Sequence, residues 1–227
     1  MGDRPAKTAL YDAFAVVAQA LASGRRAELV EVLAQGERSV ENAAAEIGQS
    51  VANTSQHLRV LARAGLATSR RDGNRVLYRL AGEEVESLWA ALRAVAAERV
   101  AGLDRLAADY LGDRHGLEQI SRDELARRMD EDGLVVWDVR PPAEFAAGHV
   151  PGAVSVPPSE VRRRLRDLRD GAEVVAYCRG PFCVFADDAV RELTRHGRAA
   201  RRLEDGFPEW RRAGLPVAAG GERGGRT

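Results

Sequence analysis

The sequence predicts two domains of different fold class: a mainly α domain with one β-hairpin, then an α/β domain with a mostly parallel sheet. Apolar residues recur every three or four positions through the first half, which is typical of amphipathic helices. In the second half, short apolar strands alternate with helical segments, and this alternation favours parallel βαβ units. A chain of 227 residues has room for two ordinary domains.

In the first half, four short helices are expected before the hairpin. Their apolar faces fall at residues 10–21, 29–34, 39–47 and 51–64. The hairpin covers residues 66–80, where alternating residues flank Asp72-Gly73, a strong turn signal. Residues 83–111 read as one long helix. Its apolar seam is longer than a small domain needs, which favours a partner helix.

In the second half, strands are expected at residues 134–139, 153–156 and 174–177. Helices are expected near 121–129, 142–147, 159–168 and 184–196. The long helix ends at Gly112–Gly116, so we place the domains at 1–112 and 117–217. A glycine-rich disordered tail is expected at 218–227.

The charge of the chain gives no reason to expect a membrane partner. Formal net charge is zero, so no whole-chain field attracts nucleic acid or lipid. No apolar stretch reaches about eighteen residues and no secretory leader is recognisable. A cytoplasmic protein is expected, and in that reducing compartment a close cysteine pair favours catalysis or redox activity over a structural staple.

Two short helices joined at Gly48 and followed by a β-ribbon form a winged helix-turn-helix. The run from Ala43 to Leu66 resembles the ArsR family of bacterial repressors, and the resemblance extends over residues 7–111. It implies a homodimer that joins through its first and last helices and reads a pseudo-palindromic site in double-stranded DNA.

The residues themselves support a DNA-reading surface. Between Arg59 and Arg79 the sequence contains six arginines and one acidic residue, Asp72. Wing arginines would meet phosphates, and polar residues early on the second helix would reach base edges. The candidate residues are Asn53, Thr54, Ser55, Gln56, His57, Arg59, Arg70, Arg71 and Arg75. A solvated face is the alternative for the arginines, and packing or phosphate contact is the alternative for His57.

Many ArsR-type repressors bind metals, and this sequence departs from that pattern. Residues 39–47 hold no cysteine and residues 83–111 hold no histidine. Soft-metal sites need thiolate or imidazole ligands. Neither a metal site nor a cofactor is expected, so any sensing must lie elsewhere.

Both cysteines of the chain, Cys178 and Cys183, lie in one loop between an apolar strand and a helix. Loop amides and a helix N-terminus beside Cys178 would stabilise a thiolate, the reactive form. Cys178 is therefore the candidate nucleophile, with a buried structural cysteine as the alternative. At five residues apart, the two α-carbons could lie within about 7 Å, the range for a disulfide.

The run from Val136 to Pro157, with Tyr177-Cys-Arg-Gly180 and Gly206-Phe-Pro-Glu-Trp210, resembles the rhodanese family of sulfurtransferases. The resemblance covers residues 117–217 and implies that Cys178 carries a persulfide. Rhodaneses commonly close this loop with an arginine that binds the anionic donor, whereas Cys183 stands there in this chain. Arg179 could partly substitute for that arginine. Cys183 could act as a resolving thiol, or simply pack beneath the loop.

The sequence therefore favours a DNA-binding regulator, a repressor, whose rhodanese-like domain senses small sulfane-sulfur or oxidant species through Cys178. The alternative is a sulfurtransferase that uses the helical domain to dimerise or to reach DNA. Because Cys183 replaces the donor-binding arginine, any sulfurtransferase activity is expected to be weak. An inert protein-binding module is a third possibility.

Overall fold

The computed structural model describes residues 3–220. The chain divides into two compact units between Val95 and Ala96, whereas the sequence placed the boundary at residues 112–116. Within residues 3–220, no helix combines the length and the apolar character needed to cross a lipid bilayer.

The first unit is mainly helical. Its helices are α1 Arg4–Leu21, α2 Gly24–Ala34, α3 Val40–Glu46 and α4 Val51–Arg63. Serine caps begin the last two: Ser39 Oγ accepts the Asn42 N–H at 3.2 Å and Ser50 Oγ accepts the Asn53 N–H at 3.3 Å. Gly48 turns the chain between α3 and α4 with φ +61°, a backbone region that favours glycine. The two helices form the expected helix-turn-helix.

A small antiparallel sheet follows the helix-turn-helix. Strands β2 (Ala67–Asp72) and β3 (Arg75–Leu80) form the hairpin, with Asp72 opposite Arg75 at the turn. A short strand that the sequence did not predict, β1 (Arg38–Ser39), pairs with β3 on its other side. The hairpin prediction is therefore confirmed, and β1 ties it to the start of α3.

The core of this unit is formed by the inner faces of its helices, which pack together. Leu29 and Val30 of α2 and Leu58 and Leu61 of α4 are fully buried. Tyr78 and Leu80 of β3 join the same apolar cluster. The three- and four-residue spacing read from the sequence therefore corresponds to the inner faces of α2 and α4.

The long helix predicted over residues 83–111 is wrong in one respect. The structure has two helices there, α5 (Glu83–Arg99) and α6 (Leu103–Leu111). Gly102 lies between them with φ +79°, a conformation that no continuous right-handed helix contains. The apolar period continues across the break, which is why periodicity did not reveal it.

The second unit alternates helices with a parallel sheet. Its helices are α7 Arg122–Arg128, α8 Pro142–Ala147, α9 Val161–Arg164, α10 Val184–Arg195 and α11 Phe207–Arg212. Its strands are β4 Gln119–Ile120, β5 Leu134–Asp138, β6 Val154–Ser155, β7 Glu173–Tyr177 and β8 Ala199–Leu203. Short 3₁₀ turns flank α9, so the helix expected at 159–168 is only partly α-helical.

All pairings in this sheet are parallel, in the order β4-β8-β7-β5-β6. The central strand β7 sends alternate residues to opposite faces, so it is covered on both sides. Val174 and Ala176 pack in one apolar cluster with residues of α9 and α10. Val175 and Tyr177 pack in another with residues of α7, α8 and α11. Cys178 therefore leaves the middle of a sheet with two covered faces.

Part of the predicted tail belongs to this unit. The main chains of His149 and Ala218 exchange two hydrogen bonds, and the Gly220 N–H donates to the Ala146 carbonyl. Residues 218–220 therefore pair with the domain, contrary to the expected disorder. Residues 221–227 lie outside the described residues.

Candidate functional sites: a polar recognition helix and a cysteine loop

The outer face of α4 presents most of the side chains that were predicted to read DNA. Asn53, Gln56 and Arg59 are exposed, and Ser55 and His57 are half-buried. With Ser50 as its cap, α4 begins close to these side chains: the residues from Asn53 to His57 lie in its first two turns, and Arg59 lies in the third. Together these side chains form a polar surface that includes the positive charge of Arg59.

The prediction for Thr54 is wrong. Thr54 is completely buried, and it lies four and seven residues before Leu58 and Leu61 on the inner face of α4. Its hydroxyl oxygen has no hydrogen-bond partner among the described residues. Thr54 belongs to the core of the first unit and cannot touch a nucleic acid while that core is intact.

The three wing arginines are all exposed, but one of them has a carboxylate partner. Arg70 Nε lies 2.9 and 3.1 Å from the two oxygens of Glu37, just before β1. Surface pairs of this kind contribute little to stability, so a phosphate could replace Glu37 at small cost. Arg71 and Arg75 flank the turn, and their charges face solvent.

The cysteine loop closes on itself. β7 ends at Tyr177, Cys178 follows, and α10 begins after Cys183. The two cysteines form a disulfide with their α-carbons 6.2 Å apart, within the range expected from their spacing. The sulfur of Cys178 is therefore half of a disulfide in this structure, and not the free thiolate that the sequence suggested.

The start of α11 packs against the cysteine loop. The Phe207 N–H donates to the Cys178 carbonyl at 3.0 Å. A Cβ atom placed on Gly206 would lie 2.2 Å from the Gly180 nitrogen and 2.4 Å from the Arg179 carbonyl carbon. Because no side chain fits in that space, a glycine is required where the two segments cross.

Arg179, which was predicted to substitute partly for the missing loop arginine, is paired with a carboxylate. Its Nε lies 3.1 Å from both oxygens of Glu144, and its Nη2 is 2.5 Å from one of them. Glu144 is 1% exposed, so the pair is shielded from solvent on one side. This pairing neutralises the Arg179 charge that was expected to bind an anionic donor.

An arginine that the sequence did not reveal contacts the same loop. Arg114 donates from Nη1 to the Pro181 carbonyl at 2.9 Å and from Nε to Asp187 at 2.5 Å. Asp187 is fully buried in the first turn of α10 and also pairs with Arg202 of β8 at 2.9 Å. Burial lowers the pKa of Arg202, and the nearby Arg114 charge lowers it further. Long-range ion pairs leave no local pattern, so Arg114 carried no sequence signal.

A buried polar cluster anchors the strand ends before the loop. Arg140 donates to Asp138 at 2.9 and 2.6 Å, and both residues are fully buried. The Tyr177 hydroxyl donates to Asp138 at 2.6 Å and accepts the Val150 N–H at 3.1 Å. Burial raises the pKa of Tyr177 well above its ordinary value, and the Asp138 charge adds to the effect. These hydrogen bonds link the carboxyl ends of β5 and β7 just before the cysteine loop.

Comparison with known families matches each unit separately. The family described as "Bacterial regulatory protein, arsR family" matches residues 23–69. The family described as "Rhodanese-like domain" matches residues 121–213.

One relative spans both units. The HTH-type transcriptional regulator Rv0324 of Mycobacterium tuberculosis is 45% identical over 219 residues, which are 96% of each chain. A protein named sulfurtransferase from Allochromatium vinosum is 30% identical over 45% of this chain and 96% of its own length.

Among solved structures, the chain is similar to the homodimeric winged helix-turn-helix DNA-binding domain of a possible ArsR-family transcriptional regulator from Mycobacterium bovis. The identity is 44%, over 44% of this chain and 91% of that one, with a TM-score of 0.41.

Proposed function

The chain belongs to the ArsR family of HTH-type transcriptional regulators and carries a C-terminal rhodanese-like domain, and from this premise we propose that it is a DNA-binding repressor controlled by the redox state of Cys178 and Cys183. The observation that carries the proposal is the disulfide between the only two cysteines of the sequence. A regulator with a reversible bond in an appended domain has two chemical states, and a switch requires two states.

Two classes of signal would form the bond. A sulfane-sulfur donor converts Cys178 to a persulfide; the Cys183 thiolate attacks its inner sulfur, and hydrosulfide leaves. Alternatively, a peroxide oxidises the Cys178 thiolate to a sulfenic acid; Cys183 condenses with it and water leaves. Both routes end in the same bridge, and the Cα separation of 6.2 Å supports either.

Double-stranded DNA would be held by the outer face of α4 and by the wing. Asn53 and Gln56 suit base edges, whereas Arg71 and Arg75 suit phosphates. A homodimer would place two such surfaces on a pseudo-palindromic site. Exposed apolar residues support it: Leu10 and Phe14 share a face of α1, and Leu88, Leu92 and Val95 share a face of α5. Both faces would be buried in a pair of subunits.

DNA affinity in the two redox states provides the test. A duplex selected by the wild-type protein from a random DNA library serves as the probe for fluorescence anisotropy. Oxidised and reduced wild-type protein should differ by about five- to 150-fold in Kd, which corresponds to ordinary allosteric coupling. Cys178→Ser and Cys183→Ser should each show one affinity under both conditions. Equal affinity of oxidised and reduced wild-type protein rejects the redox control.

Sulfurtransferase activity is the second candidate, favoured by the similarity of residues in the second unit to the Allochromatium vinosum protein. The Glu144–Arg179 pair argues against efficient transfer, because it neutralises the arginine that lies within the loop at residues 178–183. Turnover of thiosulfate and cyanide at about 1 per second or faster, and its loss in Cys178→Ser, would favour the enzyme.

A further inference from the structure

The two residues of the bridge differ in their exposure to solvent. Cys178 is 1% exposed and shares an apolar cluster with Trp137 and Ala186. Cys183 is only partly buried and directly follows Phe182, whose side chain is 37% exposed. Cys178 therefore lies inside the apolar core of the unit, and Cys183 lies at the edge of the same core, partly exposed to solvent.

The surrounding contacts fix this difference in place. The carbonyl of Cys178 is bound by the Phe207 N–H, and Gly206 packs against the backbone immediately after Cys178. Cys183 is held by a turn within the loop, in which its N–H donates to the Gly180 carbonyl at 3.2 Å. Small motions of the loop would expose Cys183 further before they uncovered Cys178.

Thiol–disulfide exchange requires a thiolate to approach one sulfur along the sulfur–sulfur axis, so access decides which sulfur is attacked. We propose that a small-molecule thiol reopens the bridge by attacking the Cys183 sulfur. A bond forms between the external sulfur and Cys183, the Cys178–Cys183 bond breaks, and Cys178 leaves with the electron pair as a thiolate. A second external thiol then releases Cys183 and leaves as the disulfide of the reductant.

This step rests on the proposed function, because it states how the oxidised regulator is reset and by which class of molecule. It also assigns the two cysteines different parts in the exchange: Cys183 carries the mixed disulfide, and Cys178 leaves as the thiolate.

The position of a trapped adduct tests the assignment. Oxidised full-length protein is mixed with reduced glutathione, quenched with acid at early times, unfolded, and alkylated with N-ethylmaleimide. Trypsin cleaves after Arg179 and so separates the two cysteines: Cys178 lies in the peptide that ends at Arg179, and Cys183 in the peptide that begins at Gly180. Glutathione on the Cys183 peptide with maleimide on the Cys178 peptide should exceed the reverse pattern by about tenfold or more.

The same chain unfolded in urea is the control, because both sulfurs are then open to solvent. Its two adduct patterns should occur in comparable amounts. Equal patterns in the folded protein, an excess of glutathione on Cys178, or no mixed disulfide at either cysteine would each overturn the assignment. None of these outcomes depends on DNA, so a failure here and a failure of the redox control of DNA binding are recorded separately.

Discussion

At the scale of single residues, the cysteine loop depends on Gly206, because a larger residue would not fit there. Gly206→Ala would place a methyl group 2.2 Å from the Gly180 nitrogen and 2.4 Å from the Arg179 carbonyl carbon, whereas ordinary van der Waals contact begins near 3.4 Å, and these backbone atoms cannot rotate away. We expect a loss of about 1–3 kcal/mol in the free energy of unfolding, as overpacked sites show. Urea denaturation followed by fluorescence measures it.

Gly24→Ala is the matched control for that change. Gly24 has no atom within 4 Å of the added Cβ and no left-handed backbone, so this substitution should be neutral or slightly stabilising. If Gly206→Ala proves equally harmless, the close approach of α11 to the loop does not contribute to the free energy of unfolding.

Tyr177 makes stability depend on alkaline pH. Burial raises the pKa of the Tyr177 phenol, so above about pH 10 the unfolded chain releases a proton that the folded chain keeps. Unfolding is then favoured by rising pH, and the folded state should lose about 1.4 kcal/mol per pH unit from this one group. Below about pH 10 both states hold the proton and the contribution stays constant.

Tyr177→Phe isolates that contribution. The variant loses the hydrogen bonds to Asp138 and from Val150, so it should be less stable at neutral pH by about 1–3 kcal/mol. Its stability should also fall less steeply above pH 10 than that of the wild type in parallel denaturation curves. Identical slopes for the two proteins would mean that the phenol ionises normally in the folded state.

At the scale of elements, the wing offers a charge test with a quantitative readout. Arg71 and Arg75 are exposed on either side of the hairpin turn. If each meets one phosphate, Arg71→Gln with Arg75→Gln should reduce the slope of log K against log salt by about two. DNA titrations over a series of salt concentrations give the slope.

Thr54→Val serves as the control for that experiment. It alters a buried position of α4 without changing charge, and the hydroxyl it removes has no partner among the described residues. Its affinity and salt slope should match those of the wild type. An unchanged slope in the double wing variant would remove the wing from the DNA contact.

The elements also show where prediction from sequence succeeded. Apolar periods and the Asp72-Gly73 turn are local signals, and they located α3, α4 and the hairpin to within one or two residues. β8 was not predicted because it carries Arg201 and Arg202, unusual residues for a strand in a buried sheet. Arg202 is tolerated there because Asp187, fifteen positions earlier in the chain, neutralises it. The local sequence around Arg202 does not show that a carboxylate from another element will pair with it.

At the scale of the whole molecule, the proposed function requires a route from the loop toward the DNA-reading unit. The sequence predicted one continuous helix over residues 83–111, but the helix is interrupted at Gly102. Arg114, three residues after the end of α6, binds the carbonyl of Pro181 between the two cysteines. The segment that leaves α6 is thus bonded to the loop that contains the bridge.

Arg114→Gln should therefore uncouple the cysteines from DNA. The ratio of Kd between oxidised and reduced protein should fall toward one, while the bridge still forms. Arg198→Gln is the matched control: Arg198 has the same 22% side-chain exposure and also bonds a carboxylate and a main-chain carbonyl, but those of Asp170 and Arg169. It should keep the ratio of the wild type.

Linkage supplies an independent readout of the same variant. If the redox state changes DNA affinity by some factor, DNA must shift the reduction equilibrium of the bridge by that same factor. Titration of the wild type in glutathione buffers, with and without the selected duplex, should show this shift, and Arg114→Gln should show none. A variant that folds, forms the bridge and keeps both the affinity ratio and the shift would mean that the signal travels by another path.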